Sequence, residues 1–112
     1  MVEQRLDTTF HALADPTRRG MLASLALGDK SIGELAEPFA MSFAGASKHV
    51  KVLEDAGLIA RRKQGRTHII SIDAKPLEEA ERWMRQWERF WNTRLDRLEA
   101  AIKADNKEKN NG

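Results

Sequence analysis

The sequence predicts a mainly α-helical domain with one small β-hairpin, in the order of four short helices, two strands and a long last helix. Apolar residues recur at spacings of three and four along most of the chain, which is typical of amphipathic helices. Residues 58–63 and 67–72 are instead rich in β-branched and apolar side chains, and a glycine-containing turn separates them. At 112 residues, the chain is expected to form one domain with a modest core.

The first two helices are predicted from an apolar spacing and from a start signal. Three apolar residues at steps of four and three predict an amphipathic helix near residues 3–14. Asp15 followed by Pro16 then favours a new helix, because the carboxylate can accept from unpaired N–H groups and proline loses no hydrogen bond at the first helical position. This helix should run to about Leu27, where Gly28 ends it.

The third and fourth helices are predicted to be joined by a tight turn. Ser31 and Glu34 form an S-x-x-E capping box that opens the third helix. Pro38 should end or distort that helix within a turn, and Ser42 is a suitable N-cap for the next one. Two short helices that meet at such a turn, the second with an accessible polar face, make a helix-turn-helix.

The fourth helix is predicted to bury one face and to present another. Its apolar face consists of Phe43, Ala46, Val50, Leu53 and Ala56. The other side chains are small, polar or cationic, so the helix can approach a surface closely and offer hydrogen bonds and charge to it. Gly57 should end the helix, because glycine takes the left-handed conformation without steric penalty.

The hairpin carries a cluster of cations. Leu58 to Lys63 and Thr67 to Ile72 are the predicted strands, and Gln64-Gly65-Arg66 is the turn between them. Arg61, Arg62, Lys63 and Arg66 should cluster at its tip. Like charges so close together are unfavourable unless something neutralises them, and a phosphate backbone does so. The alternative is a solvated basic tip, since charge runs usually face solvent.

The distribution of charge favours binding to nucleic acid. The net charge is only +2, but residues 1–40 hold four Lys/Arg against six Asp/Glu, residues 41–75 hold seven against three, and residues 76–112 hold eight against eight. Positive charge is therefore concentrated in the fourth helix and the hairpin, as expected for an electrostatic footprint on nucleic acid.

Composition argues against several other classes of protein. The chain has no cysteine, and His11, His49 and His68 lack a metal-like spacing. No apolar run approaches the roughly 20 residues of a membrane span and no N-terminal signal is visible, so we expect a cytoplasmic protein without membrane contact. No glycine-rich phosphate loop or recognisable nucleophile–base motif is present, and we expect neither enzymatic activity nor a cofactor.

Four motifs, in this order and spacing, resemble the ArsR/SmtB family of bacterial winged helix-turn-helix repressors. They are Ala14-Asp15-Pro16-Thr17-Arg18, the run from Met41 to Leu53, Ala56-Gly57-Leu58 and Gly65-Arg66. The resemblance covers about residues 6–103. It implies a homodimer that binds a pseudo-palindromic operator in double-stranded DNA, represses its own or a neighbouring operon, and releases DNA when a signal arrives.

The resemblance also implies which residues contact DNA. The fourth helix would enter the major groove, and the hairpin would be the wing, lying along the backbone or in the adjacent minor groove. The implied DNA-binding residues are Thr17, Arg18, Ser42, Phe43, Ala44, Gly45, Ser47, Lys48, His49, Lys51, Arg62, Lys63, Gln64 and Arg66. Phe43 could touch a thymine methyl or pack inward, and Arg18 could bind a phosphate or pair within the protein. Many relatives have Gln-Pro-Thr where this chain has Phe43-Ala44-Gly45, so the bases that are read are not predicted.

The chain departs from the metal-sensing members of the family. The thiolate motif on the third helix would fall at Ser31 and Gly33, neither of which is a suitable ligand, and no histidine follows His68 to form a site on the last helix. We therefore expect no metal site.

The last helix is predicted to span about residues 76–103, roughly 40 Å at 1.5 Å per residue. Its apolar stripe is longer than the rest of so small a domain can cover, so a second chain is expected to cover it. In the family the first and last helices form the dimer interface, which here implies Leu6, Phe10, Trp83, Trp87, Trp91, Leu95 and Leu98. The alternative is an aromatic pocket for an apolar small-molecule effector, lined by Trp83, Trp87, Phe90 and Trp91.

The expected domain organisation is a single winged-helix DNA-binding and dimerisation domain over residues 1–103, followed by a disordered polar tail over residues 104–112. The rival function is a DNA-free protein-interaction module that uses the same surfaces for docking. Such a module would not bind duplex DNA even at low salt.

Overall fold

The computed structural model of the protein describes residues 2–111, with side chains over residues 3–107. In chain order its elements are α1 (Val2–Leu13), α2 (Pro16–Ala26), β1 (Lys30–Ser31), α3 (Ile32–Ala36), a 3₁₀ turn (Glu37–Phe39), α4 (Phe43–Asp55), β2 (Ile59–Gln64), β3 (Thr67–Ile72) and α5 (Lys75–Asn111). The predicted fold class is confirmed, with the short strand β1 as an addition. The chain divides into two compact units, Met1–Ala80 and Glu81–Gly112, which are described separately below.

The sheet has the antiparallel order β1-β3-β2. Strands β2 and β3 pair from Ile59 opposite Ile72 to Gln64 opposite Thr67, which leaves a two-residue turn at Gly65-Arg66. Gly65 has a φ of 65°, a conformation that glycine adopts freely and that tight hairpin turns require. Strand β1 was not predicted, because a two-residue strand is too short to show an alternating pattern.

The predicted helix starts are confirmed by hydrogen bonds. The caps are Asp15, which accepts from the Arg18 N–H at 3.0 Å, Ser31, which accepts from the Glu34 N–H at 3.1 Å, and Ser42, which accepts from the Gly45 N–H at 3.1 Å. In the capping box the Ser31 N–H also donates to the Glu34 carboxylate, and this bond is the main reason that the pKa of Glu34 lies below its ordinary value.

The turn between α3 and α4 follows the predicted pattern. Pro38 lies in the 3₁₀ turn that ends α3, and Ala40 then takes a left-handed conformation with a φ of 52°. This conformation is uncommon for a residue with a Cβ, and it redirects the chain into the Ser42 cap. At the other end of α4, Gly57 has a φ of 73°, so the predicted glycine stop is confirmed.

One core holds the elements of the first unit together. Helix α4 contributes Ala46, Val50 and Leu53, all fully buried, and these pack with buried residues of α2, α3 and the sheet. The largest of these partners are Met21, Leu25, Leu35, Leu58 and Ile70. Since one whole face of α4 is committed to this core, the rotation of the helix about its axis is fixed.

Two predictions about element details are wrong. Phe43 does not complete the apolar face of α4, because its side chain is 62% exposed. Helix α5 does not end near residue 103 but continues through Asn111, and an ion pair between Lys103 and Glu99 at 3.1 Å supports its later turns. The assignment of 1–103 as one domain and of 104–112 as a disordered tail stays a prediction.

The helices of the described residues do not meet the requirements of a membrane span. None of them combines the length and the apolar character that crossing a bilayer requires.

Two leucines on either side of the end of α2 provide a test of this core. Leu25 is 2% exposed and Leu27 is 89% exposed. Leu25→Ala should lower the free energy of unfolding by about 2–5 kcal/mol, because it leaves a cavity, whereas Leu27→Ala should change it by less than about 0.5 kcal/mol. Urea unfolding followed by circular dichroism measures both values. Equal effects of the two substitutions would contradict the described packing of α2.

Candidate nucleic-acid interface

Helix α4 presents a polar face opposite the core. Ala44, Lys48 and Lys51 are exposed on it, while Gly45 and Ser47 are half-buried at its edges. Lys51 forms an exposed ion pair with Asp55 at 3.0 Å. Because exposed pairs are weak, Lys51 can release Asp55 and bind another anion. The face therefore offers close backbone approach near its start and two cations further along.

Ser42 and Phe43 lie at the start of this helix. The Ser42 hydroxyl is committed to the Gly45 N–H, so its role is to start the helix and hold its first turn. Phe43 points outward and lines a recess of about 200 Å³ together with Arg66 and His68. The recess shows that the start of α4 and the tip end of the hairpin lie side by side on one surface.

The cations of the hairpin fall into two classes. Arg61 binds Glu54 of α4 at 3.1 Å, and Arg62 binds Asp29 in the loop before β1 at 2.8 Å. Lys63 and Arg66 are exposed at the tip and form no ion pair within the described part of the chain. The predicted cluster of four is thus two anchored arginines and two cations free to bind an anion, with the exposed Gln64 between them.

The two arginines of α2 point back to the end of α1. Arg18 donates through Nε to the Ala12 carbonyl at 2.7 Å and through one terminal nitrogen to the His11 carbonyl at 3.0 Å. Arg19 donates to the Leu13 carbonyl at 2.8 Å. A helix leaves its last carbonyls without partners, and cations there also interact favourably with its dipole. Arg18 is therefore used inside the protein, which was one of its two predicted roles.

His49 of α4 lies next to this arginine. Its Nδ1 is 3.3 Å from a terminal nitrogen of Arg18 and 3.9 Å from the Asp15 carboxylate. The Arg18 backbone N–H, above all, holds the pKa of Asp15 below its ordinary value, and the charge of Arg18 adds to the effect. Thr17, which was predicted to contact DNA, is half-buried beside Asp15, and its backbone N–H lowers the same pKa.

The second unit is the helical segment from residue 81, and one side of it is apolar and exposed. The eight large apolar side chains on it are 41–60% exposed: Trp83, Met84, Trp87, Phe90, Trp91, Leu95, Leu98 and Ile102. Neighbouring rings touch edge to face, as Trp87 does with Phe90 at 6.1 Å between ring centres. In the first unit Phe10 is half-buried and Leu6 is 5% exposed, so Leu6 is covered by its own chain.

Comparison with known proteins connects this geometry to a family. A family model described as a helix-turn-helix domain matches residues 13–62. The transcriptional repressor SdpR of Bacillus subtilis is 33% identical over 79 residues, which cover 70% of this chain and 88% of the relative. A crystal structure of an ArsR family transcriptional regulator is 39% identical, covers 80% of this chain and 93% of its own, and superposes with a TM-score of 0.75. The chain belongs to the ArsR family.

A more distant structure shows the same fold. The homodimeric winged helix-turn-helix DNA-binding domain from Mycobacterium bovis is 22% identical, with a TM-score of 0.60 and coverage of 84% of each chain. The chain is thus an ArsR-family DNA-binding transcription regulator, in which α3 and α4 form the helix-turn-helix and the β2–β3 hairpin is the wing. Regulation of this kind is not an enzymatic function.

The partners of the arginines in this ArsR-family regulator are not evident from its sequence. No role was predicted for Glu54, Asp29 or Arg19. Each of them nevertheless helps to fix an element beside the proposed DNA surface. Glu54 and Arg61 are seven residues apart across a helix end and a strand, a spacing that gives no recognisable signal. The Ala14-Asp15-Pro16-Thr17-Arg18 motif was identified, but the partners of Arg18 follow only from the position of the end of α1.

Asp15 provides a test of this arrangement through pH. Because its folded-state pKa is below the ordinary value of 3.8, its charge adds stability above that pH, and this stability is lost as pH falls through the folded pKa. Between about pH 5 and pH 2, the free energy of unfolding of the ArsR-family regulator should therefore fall more steeply than that of Asp15→Asn, which keeps a capping oxygen. Urea titrations at each pH measure the difference.

Asp7→Asn, at an exposed position of α1, is the matched control. It should leave the pH dependence of the wild type in place. Identical pH profiles for wild type and Asp15→Asn would show that the Asp15 charge does not stabilise the fold.

Proposed function

We propose that this protein is a homodimeric repressor that binds a pseudo-palindromic operator in front of its own or a neighbouring operon and does not respond to metals. The proposal rests on one observation: the exposed polar face of α4 and the tip of the wing lie on one surface. At that tip, Lys63 and Arg66 have no ion-pair partner in the described part of the chain. Its predicted cytoplasmic location stays a prediction.

Helix α4 has the dimensions and the chemistry of a major-groove helix. Its 13 residues span about 20 Å, and the major groove is about 12 Å wide and admits one helix. Ala44 and Gly45 near its start let the backbone approach base edges, and Phe43 is exposed where it can contact a thymine methyl. Lys48 and Lys51 follow on the same face and are suited to phosphates.

The wing supplies charge rather than sequence information. Arg61 and Arg62 hold the hairpin to Glu54 and Asp29, and this anchoring aims Lys63 and Arg66 at the backbone flanking the groove that α4 enters. Contacts of this type position a protein on DNA and release counterions, so they make binding depend on salt.

Dimer formation is proposed from the apolar side of α5. Soluble monomers rarely expose a contiguous apolar patch as large as one formed by eight big side chains. A symmetric pair would bring two copies of α4 to half-sites about one helical turn apart, which accounts for a pseudo-palindromic operator. The M. bovis neighbour is described as homodimeric, which supports the same state here.

The signal to which the repressor responds is proposed not to be a metal. The chain contains no cysteine, and residues 31 and 33 are serine and glycine where metal-sensing relatives carry thiolates. A shallow apolar recess lined by Trp83, Met84, Trp87 and Trp91 is the place where an apolar effector would compete with the partner chain. The existence of such an effector stays a prediction.

Replacing both free wing cations tests the DNA-binding mode. Lys63→Ala with Arg66→Ala should weaken binding to operator and to random duplex alike, and the slope of log K against log salt should fall by about 0.9 for each phosphate that the variant no longer neutralises. Fluorescence anisotropy over a salt series measures both quantities.

Arg82→Ala with Arg89→Ala is the matched control, since it removes the same charge from exposed positions on the side of α5 opposite the apolar stripe. It should leave the salt slope unchanged. A double wing variant with the wild-type slope would show that the wing does not contact phosphates.

A charge placed in the apolar side of α5 tests the dimer. The wild type should sediment with a mass of two chains of 12.7 kDa, and Leu98→Glu should raise the dimer dissociation constant at least about tenfold, because an unpaired buried charge is costly. Leu27→Glu, at an exposed leucine of the first unit, is the matched control and should remain dimeric. Sedimentation equilibrium measures these masses. A wild type that has the mass of one chain at every concentration would contradict the proposal.

A further inference from the structure

One arginine of α2 connects the end of α1 to the helix proposed to read DNA. We propose that Arg18 is a positioning residue: it fixes His49 as the neutral tautomer with its proton on Nε2, so that Nε2–H becomes a donor to an acceptor atom of DNA. The use of this donor rests on the proposed function, whereas the tautomer itself does not depend on it.

The tautomer follows from the chemistry of the pair. A guanidinium stays protonated at physiological pH and has only donors, so a ring nitrogen 3.3 Å from it must be the acceptor. Nδ1 of His49 therefore carries no proton. In a neutral imidazole the single proton then lies on Nε2, and the ring offers one donor and no second acceptor.

Arg18 is held firmly enough to impose this choice. Its Nε and a terminal nitrogen donate to the carbonyls of Ala12 and His11 at the end of α1, and the His11 carbonyl also accepts from the Ala14 N–H at 3.2 Å. With three donors engaged in a partly buried setting, the guanidinium has a defined orientation. Asp15, the nearest carboxylate to the His49 ring, is 3.9 Å from Nδ1 and forms no hydrogen bond to it.

The free edge of His49 reaches solvent. The side chain is 25% exposed. Its Nε2 is not among the buried polar atoms without a partner in residues 3–107, a group that contains only Nδ1 of His68. Gly45 lies four residues earlier on the same side of α4, where its lack of a side chain leaves room for a groove wall. An acceptor on DNA, either a phosphate oxygen or a purine N7 or O6, can therefore approach Nε2.

This assignment changes the role of Arg18 at the interface. The guanidinium of Arg18 makes three hydrogen bonds inside the protein, so it does not bind a phosphate directly. It contributes to DNA binding by orienting His49. Arg18→Met should consequently lower DNA affinity in the wild type and have a smaller effect in a His49→Leu background, because the two residues then share one contact.

The first experiment measures the tautomer without DNA. Long-range proton–nitrogen NMR at about pH 8, where an ordinary imidazole is neutral, should show His49 with protonated Nε2 and bare Nδ1, and Arg18→Met should shift it towards a mixture. Exposed His11 serves as the internal reference. A proton on Nδ1, or a tautomer that Arg18→Met leaves unchanged, would overturn the proposal even if the protein binds DNA.

The second experiment measures binding to selected operator and to random duplex. His49→Leu should weaken binding about 2- to 10-fold per half-site, with an unfolding midpoint near that of the wild type, and His49→Gln should recover part of the loss through its amide donor. Equal losses on both duplexes assign the acceptor to phosphate, and a loss confined to the operator assigns it to a base edge. Wild-type affinity of His49→Leu for both would overturn the role of His49, whereas a wild type that binds no duplex would instead overturn the proposed function.

Discussion

The burial of one face of α4 is the constraint on which the interface depends. Ala46, Val50 and Leu53 are fully buried, and together they fix both the height and the rotation of the helix. Every other side chain of α4 is then assigned to solvent or to an edge by helical periodicity alone. The face that remains carries small residues near its start, Ala44 and Gly45, and the cations Lys48 and Lys51 further along. A substitution in the core at any of these three positions would therefore change which atoms α4 presents on the proposed DNA surface, even with every polar residue left in place.

Ion pairs and hydrogen bonds separate the cations that support the structure from the cations proposed to bind DNA. Arg61 and Arg62 have carboxylate partners, and Arg18 and Arg19 have the carbonyls at the end of α1. Lys63 and Arg66, by contrast, extend from the hairpin tip. The Arg62–Asp29 pair is exposed and contributes little to stability, whereas the Arg61–Glu54 pair is partly buried. Both pairs orient the hairpin. Arg61 and Arg62 are neighbours in the middle of β2, so their side chains leave opposite faces of the strand and the two pairs hold the hairpin from both sides. Such restricted motion favours the DNA binding proposed for the tip.

Much of this could be predicted from the sequence because the signals were local. The caps at Asp15, Ser31 and Ser42, the glycine stop at Gly57 and the hairpin turn at Gly65 each depend on residues within four positions, and all are confirmed. The two-residue strand β1 and the exposure of Phe43 were not predictable in this way. Strand β1 exists only through pairing with a strand about forty positions later. Phe43 continues the periodic face of Ala46 and Val50, but periodicity does not show whether the core extends to the first residue of the helix.

The family resemblance implied a set of DNA-binding residues, and that set stays a prediction. It included Arg18, Arg62 and His49, and the structure gives Arg18 and Arg62 partners inside the protein and places His49 beside Arg18. A cation in a sequence shows its charge, while its partner depends on the tertiary fold. The apolar stripe of α5 is likewise evident from periodicity, whereas the partner chain proposed to cover it cannot be read from one sequence.

The central claim is that two copies of α4, one from each chain, dock on one duplex. The most direct test is to select bound fragments from the host genome with the full-length protein and then measure the mass of the complex on the enriched site. The account predicts a pseudo-palindromic site, with half-sites about one helical turn apart, bound by two chains. Enrichment of no site, or a complex of one chain on a site without symmetry, would contradict it.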